Sequence, residues 1–422
     1  MSQLLLGLLP PPTGSTTFLD DLAQFRDFGR RSVLRSTSSC TFGGDAVDTP
    51  TVVNEFWTAK QRAAHSLHEV PYRACFKPQL PRFFIERFTN PGDTVYDPFM
   101  GRGTTVIEAA LLGRVPVGCD LNPLSVMLAR PRMRPPAVQE VTKRLEEIDL
   151  DSSVPCPEDL LTFYHPQTLS EICALRLYLL EREASGTRDG VDDWMRMVAC
   201  SRLTGHSPGF FSVYTLPPNQ AVSVERQRVI NEKRKQDPPR RNVAALIAEK
   251  TRALLSRTHD GETEDLLNAA RNAELMTGDA ADTPQIRSDS VDLVVTSPPF
   301  LDVVNYAQDN WLRCWFCGID PDALSIPTSR RVDQWQTAMT DVFRELARVL
   351  RPGGHVAFEV GEVRGGKVKL EEAVVPCGLE AGLNPLVILI NDQEFTKTSN
   401  CWGVHNRTKG TNTNRIVVFS KD

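Results

Sequence analysis

The run Thr296-Ser297-Pro298-Pro299-Phe300 gathers residue types that suit one kind of chemistry. Proline has no N–H and holds the residue before it extended, so Ser297-Pro298-Pro299 becomes a rigid ledge of carbonyl acceptors. A planar amino group laid against it can donate one hydrogen to Ser297 and the other to a backbone carbonyl. Those bonds draw the nitrogen lone pair out of conjugation and aim it at an electrophile. Phe300 offers a flat face on which a base can stack. The alternative for the same residues is a proline-punctuated edge strand.

A second constellation precedes it, DTVYDPFMGRGTTVIEAALLGRVPVGCDLNP over residues 93–123. Asp97 ends an apolar run and is followed by Phe99, Gly101 and Gly103. Glycines let a backbone approach a ligand closely, and the C-terminal edge of a parallel strand is where open α/β sheets bind cofactors. Asp120 ends the next apolar run, placed to accept hydrogen bonds from ribose hydroxyls, which suits an adenosine. Val106 stands where the dinucleotide fingerprint has its third glycine. This argues against NAD and leaves a cofactor without pyrophosphate, such as S-adenosylmethionine. Asp279, in the Gly278-Asp279-Ala280 turn, is expected near the adenine amino group. A tight structural turn is the alternative for a lone Gly-x-Gly. Together the two constellations suit displacement of a sulfonium methyl by a positioned amino group, where positioning supplies much of the rate. The methylated amino group is strongly acidic until it loses its proton, so no dedicated base is obligatory.

These residues need a frame that brings them together. Residues 93–99 and 115–122 read as buried strands flanking a helix at 104–113, half of a nucleotide-binding α/β unit. The rhythm returns with LMTGDA, VDLVVTSPPF, a helical pattern over 333–350, and the strand runs HVAFEVGE, PLVILIND and TNRIVVFSK. A Rossmann-like α/β fold with a largely parallel sheet follows. Residues 51–130 and 271–422 are then two parts of one domain, cofactor-binding and catalytic, and 131–270 is a mostly helical insertion. Residues 1–50, rich in Ser, Thr, Gly and Pro, read as a poorly ordered arm.

The formal net charge of −5 offers no whole-surface attraction to nucleic acid, so any such contact needs a local basic patch. MSQLLLGLLPPP lacks a basic leader and its apolar run is cut by prolines, so a cytoplasmic chain without a membrane segment is expected. Ten cysteines lack the density of a disulfide scaffold. Cys314 and Cys317 have no second pair or histidines at metal-ligand spacing; helix packing is expected of them, and no metal.

DPFMGRGTT, DLNP, GDA and TSPPF together resemble the amino-methyltransferases of DNA. The resemblance covers about residues 55–125 and 272–422. FKPQLPRFFIERF, residues 76–88, is similar to the family's helix-forming segment that covers the methionine end of the cofactor, which implies a role for Phe76. Ser in the first position of the tetrapeptide implies cytosine N4 as the target; Asp or Asn there would imply adenine N6. Many cytosine-N4 enzymes place the SPP segment before the Gly-rich one. Here the order is reversed, and the insertion precedes GDA. Adenine-N6 methylation, methylation of RNA or of a protein amide, and a nucleic-acid-binding protein that kept the fold without catalysis remain open. A restriction nuclease is a possible companion.

Duplex DNA buries the amino group, so its target base must be flipped out or the substrate must be single-stranded. Within the insertion, Arg226, Arg228, Lys233, Arg234, Lys235, Arg240 and Arg241 are candidates for phosphate contacts, against the alternative of a solvated helix face. Phe210, Phe211 and Tyr214 can stack on bases or simply pack in the core; His206 reads as structural. Residues 397–413 are expected to form a loop near the active edge.

Overall fold

Val, Ile and Leu dominate the runs that become the central strands, and in the computed structural model these runs pair into one mixed sheet. The structure describes residues 17–43, 45–58, 64–73, 75–215, 221–299, 306–320, 331–360, 369–392 and 414–422. The strands are β1 (Val33–Phe42), β2 (Asp45–Asn54), β3 (Thr94–Asp97), β4 (Val115–Asp120), β5 (Glu274–Thr277), β6 (Val291–Thr296), β7 (Leu350–Val360), β8 (Asn384–Asn391) and β9 (Asn414–Ser420). Their spatial order is β1-β2-β8-β9-β7-β6-β3-β4-β5. From β7 to β5 every pairing is parallel, while β9 runs antiparallel between β7 and β8. The order reverses at β3, with β4 on one side and β6 on the other, a switch point where a crevice opens beyond the strand ends. This is the Rossmann-like α/β fold that the alternation of strand and helix patterns predicts.

Alternation along the strands divides the packing. Val95, Leu293 and Val295 face a layer with α1 (Phe18–Gln24) and α2 (Gln79–Phe88), where Phe25, Phe56, Trp57, Phe83 and Phe84 cluster. Tyr96, Val294, Val356 and Phe358 face the opposite layer, built on α12 (Val332–Val349) and α13 (Leu370–Glu380). α3 (Thr104–Leu111) joins the first layer to a broad helical mass: α4 (Leu124–Met133), α5 (Val138–Glu147), α6 (Pro166–Ala184), α7 (Gly190–Arg202), α8 (Val224–Arg234), α9 (Val243–Leu255), α10 (Asp260–Asn272) and α11 (Tyr306–Cys317).

One continuous core runs from Val106 and Ile107 of α3 through Leu128 of α4, Trp194 of α7 and Ile247 of α9 to Leu312 of α11. The helices of 131–270 therefore share their interior with the segment before them and with the helix that follows the SPP ledge. Cys314 and Cys317 are buried in this interior, and the Cys317 thiol lies 3.3 Å from that of Cys200.

The expectation of a poorly ordered arm over 1–50 is corrected for its second half. Residues 33–54 form an antiparallel hairpin whose second strand extends the sheet by pairing parallel to β8, Thr51 opposite Ile388 through Asn54 opposite Asn391. Asn391 fixes the join: its Oδ1 accepts from the backbone N–H groups of Phe56 at 2.7 Å and Trp57 at 3.3 Å. The Thr- and Val-rich run TPTVVN suits a strand, but the partner that calls on it lies more than three hundred residues away in the chain.

Candidate active site

Four strand ends converge on one cavity of about 250 Å³. β3 contributes Asp97 and the turn to Gly101, β4 contributes Asp120 and Asn122, β5 contributes Gly278 to Ala281, and β6 contributes Ser297 and Pro299. Tyr72, Cys75 and Phe76 close it from the segment before α2, and Trp335, Met339 and Asp341 of α12 form the opposite wall.

The turn after β3 is held by its own backbone. Gly103 donates to the Met100 carbonyl at 2.6 Å, and Met100 donates to that of Cys119 at 3.0 Å. Gly101 and Gly103 have φ of +49° and +79°, the left-handed region that glycine enters without strain. They serve different ends. Gly101 lines the cavity, and a Cβ there would meet only the Tyr72 ring at 3.6 Å. Gly103 stands behind the cavity wall, where a Cβ would come within 2.7 Å of the Ala129 Cβ on α4. Its small size admits a helix, not a ligand.

Asp120 ties the loops of β3 and β4 together. One carboxylate oxygen accepts from Gly101 N–H and the other from Asn122 N–H, each at 2.8 Å. Both oxygens keep lone pairs for a ligand. The Asn122 Oδ1 caps α4 by accepting from Leu124 N–H at 3.0 Å, while its Nδ2 is buried with no partner among the described residues. An orphaned donor on a cavity wall calls for an acceptor from a ligand. Asp279 accepts from Ala281 N–H at 2.9 Å and lies at the cavity edge.

Asp97 is 1% exposed. Its Oδ1 accepts from the Thr296 hydroxyl at 2.6 Å and from Phe99 N–H at 3.1 Å, bonds that join the β3 turn to the end of β6. Burial pushes its pKa up to about 7, against the opposing pull of those hydrogen bonds. Asp120 is likewise raised by burial.

The ledge itself is braced from both sides. Trp335 donates its indole N–H to the Pro299 carbonyl at 3.1 Å. On β7, Glu359 is 4% exposed and takes a hydrogen bond from Asn414 Nδ2 at 3.0 Å, and the register that sets Thr296 opposite Phe358 brings Ser297 beside it. Burial raises its pKa, while the Ser297 and Asn414 side chains favour the ionised form. Trp335, Glu359, Asn414, Tyr72 and Asn122 were not expected as site residues. Only Asn122 carried a signal, as part of DLNP; the others sit in ordinary helix, strand and loop patterns.

Of the expected residues, the cavity unites Phe76, Asp97, Phe99, Gly101, Asp120, Asp279, Ser297 and Pro299. Pro298 is buried beside them, Gly103 stands behind the wall, and Phe300 lies outside the described residues, as do 397–413. The cationic run divides. Arg226, Lys233 and Lys235 are exposed around α8. Arg228 pairs with Asp159 at 2.7 Å, Arg234 lies 3.7 Å over the Tyr214 ring, and Arg240 bonds Gln167 at 2.8 Å and the buried Glu171 at 2.5 Å. Arg241 is half-buried, its backbone N–H donating to Thr168 Oγ1 at 2.8 Å. Phe210 and Phe211 are buried, Phe210 beneath the Arg202 guanidinium, so of the three aromatics only Tyr214 is partly exposed. His206 is exposed beside Phe210.

Carboxylates of Asp97, Asp120, Asp279 and Asp341 line the cavity, and among the described residues no lysine or arginine does. That lining repels phosphate and suits a cationic nucleoside. With the switch-point position, it fits the expectation of a bound S-adenosylmethionine. Residues 35–130 match the DNA methylase family. The match begins within β1, so the hairpin belongs to it. The chain is 34% identical over 86 residues to the type II methyltransferase M.MjaII of Methanocaldococcus jannaschii, covering 20% of this chain and 16% of that protein. It is 22% identical over 291 residues to M.BsoBI of Geobacillus stearothermophilus, 60% of this chain and 53% of that one. It is 54% identical over 46 residues to M1.MboII of Moraxella bovis, 10% and 18%. The chain thus spans at most about half the length of these relatives.

Proposed function

We propose that this protein methylates the exocyclic amino group of a base in DNA, N4 of cytosine, with S-adenosylmethionine as donor. The observation that carries the reading is the ledge Ser297-Pro298-Pro299 on the wall of a carboxylate-lined cavity at the switch point. S-adenosylmethionine supplies an electrophilic sulfonium methyl group. Asp120 and Asn122 hold ribose and adenine polar groups, Asp279 takes the adenine amino group, and Tyr72 and Phe76 cover the cavity. Ser297 accepts one hydrogen of the target amino group. A carbonyl of the ledge accepts the second; that of Pro299 is held in place by the Trp335 indole and keeps a second lone pair. So held, the nitrogen directs its lone pair at the methyl group, and orientation supplies most of the rate.

The exposed side chains of Arg226, Lys233 and Lys235 support a phosphate-contacting role for α8. The test is transfer of a labelled methyl group by the purified protein to unmethylated duplex DNA, single-stranded DNA and RNA. Label retained by duplex DNA and released as N4-methylcytosine is the expected result. Label in RNA or protein alone would refute the substrate assignment.

A further inference from the structure

Serine hydroxyls are ambiguous: one hydrogen to give and lone pairs to receive. A ledge that accepts an amino group works only if its serine points the hydrogen elsewhere. Glu359 provides the elsewhere. It lies on β7 directly beside β6, because Thr296 pairs with Phe358, so its buried carboxylate stands level with Ser297, and Asn414 Nδ2 already donates to it at 3.0 Å. Asn414 opens β9, opposite Asn391 of β8, so its amide is fixed by the sheet.

We propose that Glu359 is a positioning residue that fixes the hydroxyl polarity of Ser297, making the pocket accept a base with an amino group and reject one with a carbonyl at the same place. With its hydrogen given to Glu359, Ser297 meets the pocket through lone pairs only. A cytosine or adenine amino group finds an acceptor there. A uracil or hypoxanthine carbonyl meets lone pair against lone pair. A glutamine at 359 has one oxygen and one NH2 group, so it can donate to Ser297 and turn the hydroxyl toward the pocket as a donor. The proposal rests on the amino-methyltransferase reading above.

The test uses the full-length protein after its methylated site has been mapped. Affinity is compared for duplexes with cytosine or uracil at the target position, or adenine and hypoxanthine if adenine is the base modified. The wild type is expected to prefer the amino base, and Glu359→Gln to reduce that preference about 10-fold, the scale of one misdirected hydrogen bond. In a Ser297→Ala background the same substitution should change the preference less than about 2-fold, since both act through one hydroxyl. Cofactor affinity, measured by calorimetry, should stay within about 3-fold, which separates the effect from misfolding. Should Glu359→Gln fail to fold, Asn414→Leu removes the far donor and is expected to lower the preference in the same direction. An unchanged preference in the folded variant, or an equal loss with and without Ser297, overturns the proposal. Absence of methyl transfer by the wild type overturns the underlying reading and this proposal with it.

Discussion

Asp97 joins the Gly-rich turn after β3 to the end of β6 through Thr296, and its burial carries a stability consequence. A carboxyl whose pKa rises from 3.8 unfolded to about 7 folded binds its proton more tightly in the native state. Its contribution is complete below pH ~4 and is lost as pH climbs through ~7. Asp97→Asn keeps an oxygen to accept from Thr296 and Phe99 and removes the titration. Its melting temperature should therefore fall less than that of the wild type between pH 4 and 7 in the cofactor-free protein; parallel profiles by calorimetry would refute this. Trp335 affords the second test at this scale. Trp335→Phe keeps an aromatic wall and deletes the donor to Pro299. A lost neutral hydrogen bond of about 1 kcal/mol corresponds to a ~5- to 10-fold fall in turnover with cofactor affinity nearly unchanged. Equal losses in turnover and cofactor affinity would instead mean that the indole serves the cofactor cavity itself.

At the scale of elements, the Gly-rich turn matters because α3 and α4 must close behind it. Gly103→Ala combines a left-handed φ of +79° with a Cβ 2.7 Å from Ala129, so both backbone and packing oppose it. A destabilisation of roughly 2 kcal/mol or more is expected in denaturant titration, with cofactor affinity reduced as the turn shifts. Gly101→Ala meets only a van der Waals contact with Tyr72 and should cost less stability. The strands carrying these turns were legible because buried parallel strands are apolar runs ending in turn residues, as in VDLVVTSPP. The strands 33–42 and 45–54 were not, because they pair with each other and join the sheet only where β2 lies against β8. Glu359 was hidden for a related reason. In HVAFEV it is one polar residue in an apolar strand, and its role exists only once β7 lies against β6 and β9. Phe210 and Phe211 read equally as base-stacking or core residues until the fold buried them.

Across the whole molecule, a net charge of −5 and an acidic cavity mean that the proposed attraction to DNA must come from local cations. The structure divides the basic run by use. Arg240 is tied to buried Glu171, whose other oxygen accepts from Val243 N–H at 2.9 Å at the start of α9, so Arg240→Ala should lower thermal stability. Lys233, Lys235 and Arg226 are exposed, so neutralising these three should leave stability nearly unchanged and reduce the salt dependence of DNA binding by up to ~3 units of log–log slope. An unchanged slope would remove α8 from the DNA interface. Residues of 131–270 share one core with α3, α4 and α11, so they pack against the helix that follows the SPP ledge.

The central claim is methylation of an amino group held by Ser297. Its most direct measurement is mass spectrometry of nucleosides from DNA of cells expressing the wild type or Ser297→Ala. N4-methylcytosine in the first and its near absence in the second is the predicted result. N6-methyladenine would contradict the choice of base, and no methylated nucleoside in DNA from either strain would contradict the DNA reading as a whole.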